Sequence, residues 1–163
     1  MILGMPPLTF LHVLISLVGI GTGAVVMTGL IKNHYAKGMT LVFLVMTIAT
    51  SVTGFIFFPF EKLLPSHITG ILSLIILAIS LYALYAKRLT GSSRQVYVVT
   101  AVAAQYLNVF VLIVQLFLKV PTLHAMAPQQ SEPPFVITQA VVLLAYIVVG
   151  VLGVKRFHPP APV

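Results

Sequence analysis

The feature that most constrains this chain is a recurring apolar run long enough to cross a lipid bilayer. The first reads LTFLHVLISLVGIGTGAVVMTGLI over residues 8–31, 24 residues with no Lys, Arg, Asp or Glu and one histidine near its start. At ~1.5 Å rise per residue it covers a hydrocarbon core about 30 Å thick. Comparable runs follow at 40–59, 67–86, 96–119 and 135–154. Backbone polar groups in lipid must bond within their own segment, so each run is predicted to be a helix. The alternating pattern of a membrane barrel strand is absent. No connection is long enough to separate domains. The expected fold is all-α: a single transmembrane helical domain over residues 1–163, a polytopic bundle of five spans.

Composition supports lipid as the solvent. Of 163 residues 60% are hydrophobic and 7% charged, against roughly 25% charged in soluble domains. The net charge of +7 would fit a nucleic-acid partner in a soluble protein. Here the basic residues sit in short connections, and no basic stripe with interleaved aromatics occurs, so nucleic-acid binding is rejected. With no cysteine, disulfides, thiolate metal sites and covalently attached haem are excluded. Residues 1–7 carry no positive side chain, and no small-residue cleavage site precedes a polar chain. The first span is therefore expected to be retained.

The basic residues also act as a compass. With the N-terminus on side one, side two holds Lys32, Lys37, Lys87, Arg88, Arg94, Lys155 and Arg156, and side one only Lys62 and Lys119. Seven against two predicts an N-terminus outside and a C-terminus in the cytoplasm. A multi-pass protein of the cell membrane is expected, in bacteria the inner membrane. Tyr82, Tyr85 and Tyr97 then lie near the cytoplasmic interface, and Phe57, Phe58 and Phe60 near the outer one.

That frame gathers the ionisable residues. His12, His67, His124, Glu61 and Glu132 all fall toward the outer face, while His34 and His158 lie inside among Lys and Arg. His12 stands within a span, where ionisable groups are costly and tend to mark a site. Ser16, Gly19 and Gly23 follow it at offsets of four, seven and eleven, on one helical face. Such a face suits close approach of another helix through Gly19-x-x-x-Gly23. It equally suits a flat cofactor such as haem b, held by the imidazole above it. The third span has a similar face with His67, Gly70 and Ser73 or Leu74. Both helices run in the same direction, which sets the two imidazoles at similar depth, as in bundles that hold b-type haem. A transition metal without haem is a variant, with His12, His67, His124, Glu61 and Glu132 as ligands. Imidazole and carboxylate suit Zn or Cu, and Met5 and Met126 suit Cu(I).

A second polar feature is the stripe Gln105, Asn108 and Gln115 on the fourth span. Interhelical hydrogen bonds are its bland reading and a small-solute pocket its sharper one. No intramembrane carboxylate or lysine accompanies the amides, which argues against a proton-coupled transporter. The match Gly19-Ile20-Gly21-Thr22-Gly23-Ala24 to a dinucleotide fingerprint lies inside a span with no preceding strand, so its context fails. No cleft combining a nucleophile and a base can be drawn, and the chain is not read as an enzyme. Three roles stay open. One is a redox or cofactor-binding membrane protein. Another is an accessory protein packing against itself or a membrane partner through glycine and amide faces. The third is a small-solute carrier.

Two stretches carry a resemblance. One is TGFIFFPF at 53–60, followed by PSHITG at 65–70. The other runs from YLNVF at 106–110 through FLKVP at 117–121 to QSEPPF at 130–135. They resemble small bacterial multi-spanning membrane proteins, which implies the same membrane class and no particular activity. The transmembrane histidines are similar to those of cytochrome-b561-like bundles, from which the five-span count departs.

Overall fold

A computed structural model describes residues 6–57 and 65–159. Among them are helices and turns and no strand. Helix α1 is Pro7–Lys32, α2 Lys37–Phe57, α3 Pro65–Leu81, α4 Ser93–Lys119, α5 Pro121–Met126 and α6 Pro133–Arg156. Among the described residues five helices are long and apolar enough to cross a membrane, as expected for an integral membrane protein. The sixth, α5, falls within the connection 120–134, which the hydropathy pattern leaves as loop.

Each boundary has a local cause. Pro7 opens α1, where a missing N–H costs nothing. Asn33 closes it in the left-handed region (φ 57°), donating its N–H to the Gly29 carbonyl. The chain then folds back tightly: the His34 carbonyl oxygen lies 2.6 Å from where a Cβ on Gly29 would sit. Glycine is therefore required there. Helix α3 runs into a π turn over Tyr82–Ala86, and Arg88, Leu89 and Gly91 at positive φ turn the chain into α4. Pro121 starts α5, which is held by Leu123 and Ala127 packing on Ile113 and Phe117.

The five long helices form a ring. Neighbours are α1–α2, α2–α3, α3–α4, α4–α6 and α6–α1, with α1 also touching α4 across the middle. The α1–α4 contact divides the bundle into a four-helix half, α1 to α4, and a triangle of α1, α4 and α6. The main core lies toward one end, where Leu30, Phe43, Leu44, Leu77, Tyr97, Val98, Ala101 and Phe157 are buried. That end carries Lys155; the opposite end carries His12. Arg94 ties the first of these ends together, donating through Nη1 to the carbonyls of Val154 (2.9 Å) and Phe157 (2.6 Å). It thereby caps carbonyls at the end of α6 that have no partner further along the helix.

Candidate functional site

The His12 end of the four-helix half is not filled. A cavity of about 570 Å³ lies between α1, α2, α3 and α4, within the range of roughly 300–1,000 Å³ typical of ligand pockets. On α1 it runs from Thr9 to Ile20, about 16 Å at helical rise. The stripes predicted from helical spacing converge on it. His12 and Ser16 come from α1, His67, Gly70 and Ser73 from α3, and Asn108 and Gln115 from α4. Helix α2 adds Thr50, Ser51, Gly54 and Phe55, and Lys119 stands at the rim.

The two histidines enter from different helices. His12 Nδ1 is 2.8 Å from Thr53 Oγ1. The single Thr53 hydroxyl proton is directed at its own helix, to the Ala49 carbonyl at 2.7 Å and the Thr50 carbonyl at 3.2 Å. Thr53 therefore accepts, and the network assigns the His12 proton to Nδ1. In that tautomer Nε2 is the acceptor nitrogen, as in a ligating histidine whose other ring nitrogen is held by a fixed partner. Ser16 Oγ donates to the His12 carbonyl at 2.7 Å, so its hydroxyl is used within the helix. His67 is 2% exposed. Its ring stacks on Phe55 with centroids 5.9 Å apart and planes at 21°. Phe55 in turn lies over Gly70, where a Cβ would come within 2.8 Å of the ring.

Two expected residues take the other role foreseen for them. Gly19 and Gly23 do not line the cavity, because other helices cover them. A Cβ on Gly19 would meet Met46 Cβ at 3.4 Å, and one on Gly23 would overlap the Gln105 amide and meet the Phe43 ring at 2.9 Å. They are points of close helix approach, not the floor of a cofactor groove. The α4 stripe is likewise divided. Gln105 is fully buried and donates from Nε2 to the Ile20 carbonyl at 2.9 Å. Asn108 donates to Thr47 Oγ1 at 3.0 Å. These bonds join α1, α2 and α4 beneath the cavity, so Gln105 is structural while Asn108 and Gln115 face the cavity. Ser73 Oγ, buried in the wall, has no hydrogen-bond partner among the described residues.

The extended metal set is not brought together. His124 is exposed on α5. The Glu132 carboxylate accepts from the backbone N–H groups of Gln129 (3.1 Å) and Ser131 (3.0 Å). Desolvation pushes its pKa up, and the backbone N–H groups of residues 129–132 together outweigh this and hold it below the usual carboxylate range. Neither residue lines the cavity. Among the described residues no three His, Asp or Glu side chains are placed to share an ion; Glu61 lies outside those residues, as does Met5. Thr53, Phe55 and Lys119 were not singled out as site residues from the sequence. The available signal was their position at the end of α2 or α4 level with His12.

Comparison with protein families, with characterised proteins and with solved structures gave no match to this chain.

Proposed function

We propose that the cavity at the His12 end is a cofactor pocket, that its cofactor is haem b, and that the protein serves membrane redox chemistry. One observation carries the reading: His12 and His67, from separate helices, line the same cavity. Three features support the fit. His12 is oriented by its bond to Thr53, and in that tautomer Nε2 carries the lone pair that ligation uses. Most of the remaining wall is aliphatic, aromatic or small, as a macrocycle requires. Lys119 in the lining supplies a positive charge for pairing with the acidic side groups of such a cofactor. His12 and His67 would be the residues that hold its iron. Bound haem would supply one-electron chemistry at its iron; the protein's part is to hold it, orient it and exclude water. The proposed topology keeps the His12 end on the outer face and the C-terminus in the cytoplasm, from the distribution of Lys and Arg.

The test is titration of haem into purified, detergent-solubilised protein. The expected result is one equivalent bound with a sharp Soret band, lost or broadened in His12→Ala and in His67→Ala and kept in His124→Ala. Equal binding by all four proteins would end the reading. The accessory reading draws on α6, whose spanning window is only 11% buried within the monomer. It gains if the protein binds no haem and elutes as a stable oligomer or complex.

A further inference from the structure

A second cavity lies outside the four-helix half, on the surface of the α4–α6 pair, and is independent of the haem reading. It is a groove of about 470 Å³ walled by Val99, Tyr106, Tyr146, Ile147 and Gly150 among others, with Lys155 at one end. All but that end is apolar or aromatic. Tyr106 and Tyr146 stand toward the other end, their rings 6.0 Å apart, with Leu143 one turn beyond them.

The dimensions identify the occupant class. On α6 the lining runs from Leu143 to Lys155, twelve residues of helix or about 18 Å of rise. Half of a hydrocarbon core about 30 Å thick is about 15 Å. The groove thus runs from one interface to just past the middle of the bilayer, about the depth of one leaflet. Its interfacial end is basic. Lys155 and Arg156 are exposed there, and the Arg94 guanidinium is fixed beside them by its bonds to Val154 and Phe157. An apolar slot one leaflet deep, open along its length and positive at its mouth, matches a single anionic phospholipid. We infer that the α4–α6 groove is a binding site for one anionic phospholipid, with an acyl chain along Gly150 and Ile147 and the phosphate at Lys155. Gly150 is what keeps the slot open. A Cβ there would touch only Val102 Cγ1 at 3.7 Å, so small additions fit the helix pair while larger ones enter the groove.

Native mass spectrometry of the detergent-solubilised protein tests this, with phosphatidylglycerol or phosphatidylcholine of identical chains as the probe. The expected result is one tightly retained phosphatidylglycerol and no comparable phosphatidylcholine. Lys155→Gln should weaken that binding roughly fivefold, the effect of one interfacial cation. Gly150→Leu should abolish it by filling the slot. Lys37→Gln, which removes a cation at the same end but away from the groove, should leave it unchanged. If Gly150→Leu fails to give folded protein, Val99→Trp, at an exposed wall position, serves in its place. Equal retention of the two lipids would overturn the inference. So would unchanged phosphatidylglycerol binding in both the Lys155 variant and the slot-filling variant, or an equal loss in Lys37→Gln.

Discussion

Gly21 and Gly23 are two residues apart in the same helix, and alanine at each should have opposite effects. At Gly21 an added Cβ meets nothing within 4 Å. Only the helix preference of alanine over glycine acts, about 1 kcal/mol in favour at most. At Gly23 the methyl would land on the Gln105 amide and 2.9 Å from Phe43 Cδ2. Gln105 and Phe43 are both 0% exposed, so neither has open space to move into. If the amide swings away it loses its bond to the Ile20 carbonyl, roughly 1 kcal/mol. Displacing a packed ring adds about 1–3 kcal/mol. Set against the helix preference, the net loss for Gly23→Ala is about 1–3 kcal/mol, and the two alanines should differ by about 2–4 kcal/mol. The assay is reversible unfolding in one detergent, followed by far-UV circular dichroism. A second substitution sharpens it: Gln105→Ala should cost less in the Gly23→Ala background than alone, because removing the amide there also relieves the clash with the new methyl. Equal stability of Gly21→Ala and Gly23→Ala would refute the packing beneath the cavity.

Thr53→Val keeps the side-chain shape and removes the acceptor that orients His12. It should weaken haem binding about 10- to 100-fold, as losses of such supporting partners do, measured by the same titration. Gly29→Ala should destabilise by more than 1 kcal/mol, because a backbone carbonyl 2.6 Å away must move; thermal unfolding reads it. The Glu132 pKa lies below its ordinary value of 4.5. A depressed carboxylate contributes stability above its unfolded pKa and loses it as pH falls through the folded value. The turn before α6 should therefore loosen only below about pH 4.5, seen by amide exchange at Gln129 and Ser131. Glu132→Gln should abolish that pH dependence.

Much of this was legible in the sequence because helical spacing is a strong geometric rule. The five spans follow from hydropathy alone. The residues His12, Ser16, His67, Gly70, Asn108 and Gln115 meet at one cavity because each sits on the inward stripe of its helix. What the spacing does not say is which helix covers which part of a stripe. Gly19 and Gly23 continue the His12 face, yet Met46, Phe43 and Gln105 close over them. Gln105 shares a stripe with Asn108, yet stands about a turn deeper, where α1, α2 and α4 meet. Helix α5 leaves no mark in the hydropathy pattern because six residues of mixed polarity carry too little periodicity. It exists through the tertiary contacts of Leu123 and Ala127. Thr53 was invisible as a partner of His12, since 41 residues separate them.

The most direct measurement is the absorption spectrum and iron content of the protein isolated from cells supplied with haem precursors, beside His12→Ala isolated in the same way. The account predicts a coloured protein with about one iron per chain and a Soret band that shifts on reduction. The His12→Ala protein should be folded and lack that band. A colourless, iron-free native protein, or a pigment indifferent to loss of His12, would contradict it.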